Sequence, residues 1–249
     1  MKTSIKWFTV FLLMLLLVSC SGSKSKQRGK PLTLEEHFQL AFEAAERGNL
    51  GEAITEYEKV LKMDPKYASA HLNLGVVYSR QGKWKKEIAE YEKTIKINPN
   101  FTEAYFNLGV AYGEQGKFNE AISYYKKVLQ IDPNHVEARN NLGVLYLKKG
   151  KLEEAQSEYK KTLELKPTYV KGQFNLGYVY HRQGRSDEAI ASFLEVLKID
   201  PTHTEAHYNL AVLYYEKQDY KLALRHVDEA IRLGKNVDPR FLERLKSHR

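Results

Sequence analysis

Asparagine recurs along this chain at a fixed spacing, in segments whose pattern predicts a helix. In the stretch HLNLGVVY, which spans residues 71–78, Asn73 lies among apolar side chains. Asparagine is a poor helix former because its amide competes for backbone hydrogen bonds. The residue nevertheless returns every 34 positions, as Asn73, Asn107, Asn141, Asn175 and Asn209. Since asparagine is unfavourable for local structure and yet periodic, we expect it to serve another purpose.

The chemistry of the carboxamide suggests two such purposes. The group offers two N–H donors and one oxygen acceptor. A row of these groups could bond the main chain of an extended peptide without regard to the peptide's sequence. Alternatively, each asparagine could bond the backbone of the adjacent repeat and have a purely structural role. The sequence leaves both interpretations open.

Other columns share the 34-residue period and define the elements that position the asparagines. A Leu-Gly or Leu-Ala pair follows each asparagine, a glycine lies near the middle of most units, and proline ends them at Pro65, Pro99, Pro133, Pro167 and Pro201. Glycine commonly ends a helix and proline cannot continue one. Each unit is therefore predicted to form two short amphipathic helices. The small residue after leucine should let these helices approach closely, with tyrosine and leucine columns filling the space beside it.

This pattern resembles the tetratricopeptide repeat in its period and in its Leu-Gly, Tyr, Ala, aromatic and Pro positions. The resemblance implies an all-α, right-handed solenoid of six helix-turn-helix repeats with a capping helix at its C-terminal end. The predicted units are residues 34–67, 68–101, 102–135, 136–169, 170–203 and 204–237, and the cap is 238–249. Two departures stand out: Glu87 occupies an alanine position, which suggests looser packing, and Gln218 replaces the mid-unit glycine of the sixth repeat.

The resemblance also implies where the asparagines point. In this family the first helix of each repeat lines the concave side of the stack. The asparagines lie two residues before the glycine column, about 200° away around the helix, so they should face the groove. Apolar and aromatic side chains are expected beside them, namely Val76, Phe106, Val110, Val144, Phe174, Tyr178 and Tyr208. These residues and the asparagines form the predicted surface for a protein or peptide partner.

The first thirty residues predict export and lipid attachment. Lys2 and Lys6 precede the uncharged run WFTVFLLMLLLV at 7–18, which is short for a membrane span and fits a signal peptide at 1–19. The following LVSC resembles the lipobox of bacterial lipoproteins, which implies acylation of Cys20, the only cysteine. Residues 20–32 should be the lipidated cysteine and a disordered polar tether. By the same resemblance, Ser21 in place of Asp favours the outer membrane, facing the periplasm.

Several other kinds of site are disfavoured. The net charge is +8, but six positive charges lie before residue 31, so the repeats carry only about +2 and nucleic-acid binding is not indicated. His203 and His207 have the spacing of a metal pair, yet a loop position and a packing position explain them more simply. The family's carboxylate clamp would need Lys and Asn where Leu72 and Val76 stand. Nothing in the sequence predicts a catalytic set, a metal or a cofactor.

Taken together, these features predict a membrane-anchored scaffold that binds a segment of an envelope protein and aids the assembly of a pilus, a secretion machine or a similar complex. The architecture resembles the pilotin lipoproteins of type IV pili. The alternative is an accessory or regulatory subunit of an envelope enzyme, such as a peptidoglycan hydrolase or a polysaccharide export system. The sequence gives no indication of oligomeric state.

Overall fold

The computed structural model describes residues 31–247, and the residues from Leu34 onward form one unit. The described part is all α-helical and contains six helical hairpins and a terminal helix. Its helices are α1 (Leu34–Glu46), α2 (Leu50–Met63), α3 (Ala68–Arg80), α4 (Trp84–Ile97), α5 (Thr102–Glu114), α6 (Phe118–Ile131), α7 (Val136–Lys148), α8 (Leu152–Leu165), α9 (Val170–Arg182), α10 (Ser186–Ile199), α11 (Thr204–Glu216), α12 (Tyr220–Arg232) and α13 (Pro239–Lys246). The predicted all-α solenoid is confirmed.

The predicted signal peptide, Cys20, Ser21 and most of the tether lie outside the described residues. Among the helices of the described part, none combines the length and the apolar character needed to cross a bilayer.

The mid-repeat glycines end the first helix of each hairpin by adopting a left-handed conformation. At Gly116, φ is +73°, and the next residue, Lys117, donates its N–H to the carbonyl of Tyr112 at 3.0 Å. This closure satisfies a carbonyl that the helix end would otherwise leave without a partner. In the sixth repeat Gln218 adopts the same conformation at φ 62°. A residue with a side chain is strained there by roughly 1 kcal/mol, so the turn geometry overrides the local preference of the sequence.

The Asp-Pro and Asn-Pro pairs end the second helix of the hairpins. Asp132 is extended, as a residue before proline prefers, and its carboxylate accepts the N–H of Asn134 at 3.0 Å. Asp64, Asn98 and Asp200 accept an N–H two residues on in the same way. A short polar side chain before proline therefore shapes the loop that leads to the next repeat.

Within each central hairpin, the two helices meet where a glycine of the first lies against an aromatic ring of the second. A Cβ atom built at Gly109 would lie 2.7 Å from the ring of Tyr125, and one at Gly75 would lie 2.5 Å from the ring of Tyr91. The same contact joins Gly143 to Tyr159 and Gly177 to Phe193. These rings are buried, so the space that a side chain would need is already filled. The predicted close approach of the helices is confirmed.

The expectation of looser packing around Glu87 is wrong, because the contact of Gly75 with Tyr91 in that hairpin is as close as in the others. Glu87 is buried, and burial raises the pKa of its carboxyl, although a hydrogen bond with Ser79 opposes that shift. The hydrogen bond supplies a buried partner for the polar group, which makes the substitution tolerable at an alanine position.

A second contact between the paired helices joins residues 19 positions apart, and sequence analysis missed it. It occupies the column where the family has tryptophan. The pairs are His37–Glu56 at 2.5 Å, His71–Glu90 at 2.6 Å, Arg139–Glu158 at 2.9 Å and, as two rings, Tyr105–Tyr124. The recurrence of glutamate opposite a basic residue was the signal that could have revealed these pairs.

The sixth repeat breaks this charge pattern by pairing two histidines. Nδ1 of His207 lies 3.0 Å from Nδ1 of His226, while Nε2 of His207 donates to the carbonyl of Pro201 at 3.0 Å. In the neutral pair, His226 must then be the donor. Burial lowers the pKa of His226 to about 4, the neighbouring His207 and Arg225 act in the same direction, and Glu229 opposes them. His226 also stacks on Tyr214.

We expect Gly109→Ala to destabilise the protein, because the new methyl group would collide with the buried ring of Tyr125. The free energy of unfolding should fall by about 1–3 kcal/mol, even though alanine favours a helix more than glycine does. Gly113→Ala in the same helix is the matched control. Its Cβ would meet only ordinary contacts at 3.8 and 4.0 Å, so it should stabilise by about 0.5–1 kcal/mol. Urea denaturation measures both, and equal effects would contradict the close-contact interpretation.

We expect His226→Glu to stabilise the protein in mildly acidic solution. The folded-state pKa of His226 lies below its ordinary value of 6.5, so the unfolded chain takes up a proton first and stability falls as the pH drops from 6.5 towards 4. Glutamate would instead give His207 the kind of partner that His71 has in Glu90. At pH 5 the free energy of unfolding should exceed the wild-type value by about 1–2 kcal/mol, and by less at pH 8.

Urea titrations at both pH values test this expectation. His226→Gln is the control, because it removes the titration without adding a charge, and its stability at pH 5 should lie between the other two. A glutamate variant whose advantage is the same at pH 5 and pH 8 would contradict the assignment.

Candidate functional site

The first helices of the hairpins lie on the inner face of the stack. The first helices of successive repeats contact each other more extensively than the second helices do, as in α1 with α3 and α7 with α9. Elements on the inside of a curved solenoid lie closer together than those on its outside. We define the inner face as the asparagine column and the apolar column three residues after it, on α3, α5, α7, α9 and α11.

The asparagines of this face bond the preceding repeat through a tyrosine hydroxyl. Nδ2 of Asn141 donates to Oη of Tyr125 at 3.2 Å. Asn73 bonds Tyr57 in the same manner: burial raises the pKa of Tyr57 to about 12, and the hydrogen bond with Asn73 opposes this rise. The structural interpretation of the sequence expected the backbone of the adjacent repeat as the partner. The partner is instead a side chain of that repeat.

The junction of the fourth and fifth repeats departs from this arrangement. Asn140 replaces an apolar residue there, and Nδ2 of Asn175 donates to Oδ1 of Asn140 at 3.3 Å. The hydroxyl of Tyr159, which corresponds to that of Tyr125, is buried without a hydrogen-bond partner in the described part of the chain. A neighbouring amide therefore draws Asn175 away from the tyrosine, and Asn140 itself is buried, with 4% of its surface exposed.

The other two asparagines also differ from the common pattern. In the sixth repeat the aromatic position holds Phe193, which has no hydroxyl, and Asn209 donates to the carbonyl of Glu205 in its own helix at 2.7 Å. Asn107 is buried, with 8% of its surface exposed, so it offers a ligand little of its amide. The bonds of Asn73, Asn141, Asn175 and Asn209 each engage one N–H, which leaves further amide groups on these half-buried side chains.

The predicted apolar members of the groove divide into two groups. Val76, Val110, Val144, Tyr178 and Val212 are half-buried and line the inner face beside the asparagines.

The phenylalanines expected in the groove lie between repeats instead. Phe106 is buried against the rings of Tyr125 and His135, with centroids 5.7 and 5.1 Å away. Phe174 packs in the same way on Phe193 and His203. The histidines cover these rings because each begins the next first helix, where Nδ1 of His203, for example, accepts the N–H of Ala206 at 3.2 Å. A helical pattern within one repeat does not contain this neighbour.

Tyr208 is also partly covered, by Phe241 of the terminal helix and by Nζ of Lys235 at 5.0 Å from its ring. His203 packs on Phe174 and His207 contacts His226, so the two histidines have separate partners. This agrees with the packing role that the sequence favoured for them. In the residues that the structure describes, no group of three or more histidine, cysteine, aspartate or glutamate side chains is arranged to hold a metal ion.

Two inner-face residues of the first repeat were missed. Gln39 and Phe42 lie 34 positions before Asn73 and Val76, so the same column positions contain them. Phe42 is 46% exposed, and the amide of Gln39 is exposed and donates to Glu43 at 3.1 Å. Extending the asparagine and valine columns by one 34-residue period towards the N-terminus would have found both residues. In the first repeat the inner face therefore has the amide of Gln39 and the exposed ring of Phe42. In the later repeats it has partly bonded amides beside small apolar side chains. Such a row of groups suits an extended polypeptide more than a small molecule.

Several solved structures resemble this fold. The MamA protein is 26% identical, with a TM-score of 0.62 over 69% of this chain and 94% of that one. YrrB, described as a TPR protein with an unusual peptide-binding site, is 24% identical, with a TM-score of 0.64 over 77% of this chain and 97% of its own. PilF of Pseudomonas aeruginosa is 20% identical, with a TM-score of 0.73 over 87% of this chain and 97% of its own. The search of curated proteins gave no match.

Family models agree with the helical hairpins. The model described as TPR repeat matches residues 44–82, 78–116, 145–184 and 180–218. Models described as tetratricopeptide repeat match residues 102–135, 124–157 and 204–237. Because one model alone covers more than half of the chain, and the hairpins have the expected period and contacts, this chain belongs to the tetratricopeptide repeat family.

Proposed function

We propose that this chain is a membrane-anchored scaffold whose inner face binds an extended segment of a partner protein in the cell envelope, and that it aids assembly of an envelope complex. The observation that carries the binding role is the row of half-buried amides on the inner face, whose bonds within the fold each engage one N–H and leave further groups: Asn73, Asn141, Asn175 and Asn209. The exposed ring of Phe42 and the valine column would contact the side chains of such a segment.

The similarity to YrrB, whose description names a peptide-binding site, supports a peptide as the ligand class. PilF of Pseudomonas aeruginosa shares the fold, and the assembly role is our proposal from the predicted envelope location. Asn141 and Asn175, which are half-buried on the inner face, are the strongest polar contacts that we propose for the ligand backbone.

The membrane anchor is the acylated Cys20, with residues 21–32 as the tether. Two or more acyl chains hold a protein stably on a bilayer, whereas one chain does not. Ser21 in place of aspartate supports the outer membrane as the destination.

The binding role predicts that two sets of variants with equal structural cost differ in partner capture. Asn73→Ala with Asn141→Ala removes two amides, and Tyr57→Phe with Tyr125→Phe removes only the hydroxyls that those amides bond. Each set should lower stability by about 1 kcal/mol per lost hydrogen bond. If the free amide groups bind the ligand, the asparagine set should lose partner at least about tenfold, while the tyrosine set retains it.

The measurement is quantitative affinity capture from detergent-solubilised envelopes, with melting curves for each variant. Equal capture by both sets would show that the asparagines are structural and would contradict the proposed binding surface. Capture of hydrolase or polysaccharide export components, lost only in the asparagine set, would keep the surface and change the role to that of an accessory subunit.

The anchor predicts a second outcome. In cells grown with a clickable palmitate analogue, the wild-type chain should incorporate the label and partition into the detergent phase of Triton X-114. Cys20→Ala should lose the label and remain at the mass of the uncleaved chain, because the acylated cysteine is the expected cleavage signal. Label that persists in the Cys20→Ala chain would contradict the lipoprotein assignment.

A further inference from the structure

The turn between α3 and α4 presents a basic and aromatic surface that the proposed peptide binding does not use. Five consecutive residues, Gly82 to Lys86, are exposed there, including Trp84 at 46%. We call Lys83, Trp84, Lys85, Lys86 and Lys117 the Trp84 patch. Lys85 and Lys117 place their Nζ atoms 5.2 and 5.9 Å from the Trp84 ring, and Lys86 lies over Tyr78 at 5.2 Å.

Among the described hairpins, only this one has an exposed residue at the first position of its second helix, where Trp84 is 46% exposed. In the other described hairpins the corresponding position is half-buried, and its occupants are Leu50, Phe118, Leu152, Ser186 and Tyr220. Packing within the stack therefore does not account for a tryptophan at this turn.

The lysines are also in the wrong place for helix stability. The start of a helix carries partial positive charge, so acidic side chains stabilise it and basic ones destabilise it. The first turns of α2, α6, α8 and α10 contain exposed acidic residues. In α4 the equivalent positions are Lys85 and Lys86, and the acidic residue that follows, Glu87, is buried. The sequence keeps these lysines at a cost to the helix, which favours an interaction with something outside the chain in addition to their contacts with the rings of Trp84 and Tyr78.

We propose that the Trp84 patch is a docking surface for an anionic phospholipid bilayer. Lysine side chains are attracted to anionic headgroups, and tryptophan prefers the interface between headgroups and acyl chains because its ring is amphipathic. The patch consists of exposed side chains at the starts of α4 and α6, so a headgroup layer can reach all of them. Docking through this turn would add to any N-terminal anchor and would fix one edge of the stack against the membrane.

The test follows the fluorescence of Trp84 in the full chain. The chain contains two tryptophans, so Trp7→Phe leaves Trp84 as the single reporter wherever the N-terminal segment resides. The protein is mixed with vesicles of phosphatidylcholine alone, or with phosphatidylglycerol added, that contain lipids with brominated acyl chains. With anionic vesicles we expect a blue shift and quenching of Trp84, and both should weaken at high salt because the attraction is screened.

A charge variant separates docking from folding. Lys85→Asn with Lys86→Glu installs the residues of α6 at these positions and should reduce the quenching at least about threefold. The same variant should melt about 2–4 °C higher, because the unfavourable charges at the helix start are gone. The control, Lys126→Asn with Lys127→Glu, makes the same charge change on the exposed side of α6 and should leave the quenching intact.

Three outcomes would overturn the proposal. In the first, Trp84 is unquenched in anionic vesicles even when the chain is bound to them. In the second, the two charge variants reduce quenching equally. In the third, Trp84 emission responds to a soluble polyglutamate peptide and not to vesicles. The last result would assign the patch to an acidic protein. None of these results bears on the inner face, so failure here is distinguishable from failure of the proposed peptide binding or of the anchor at Cys20.

Discussion

The contact between a glycine of the first helix and an aromatic ring of the second is the constraint on which the rest of this structure depends. With less than 3 Å between a hypothetical Cβ and the ring at Gly75, Gly109, Gly143 and Gly177, the backbone itself is the surface against which the ring packs. The helices can lie this close only because the position has no side chain. The contact fixes the separation and rotation of each hairpin, and the same geometry in successive repeats makes the stack regular.

The position of the asparagines follows from that contact. A tyrosine ring held against the glycine directs its hydroxyl towards the next repeat, where Asn141 meets Tyr125. The amide is therefore held in orientation by a neighbour and still presents its remaining groups on the inner face. A structural bond and a binding role are not alternatives here, because holding the amide in place lowers the entropy that a ligand would otherwise have to remove. Where phenylalanine replaces tyrosine, at Phe193, the amide of Asn209 turns back to its own helix.

Electrostatics distinguishes repeats that are otherwise alike. The contacts between residues 19 positions apart pair His71 with Glu90 and Arg139 with Glu158, but in the sixth repeat they pair His207 with His226. The first turn of α4 carries Lys85 and Lys86, where the first turns of α6 and α8 carry exposed acidic residues. The regular packing thus leaves surface and pair positions free to vary, and these are the positions at which individual repeats can acquire separate tasks.

The sequence by itself determined the period, the number of helices, their ends and the glycine contact, because each depends on local chemistry that repeats: a turn that requires positive φ, a proline that cannot continue a helix, and a residue without a side chain opposite an aromatic one. A helical wheel also places the asparagines and the valines on one side of the first helix, because the two columns lie three residues apart.

Only the tertiary structure decided which of those side chains a ligand could reach. Phe106 and Phe174 are covered by His135 and His203 of the following repeats, Asn107 is buried, and Asn175 turns to Asn140. Each of these outcomes depends on a contact between repeats, and the pattern within one helix carries no information about the side chain that arrives from the next.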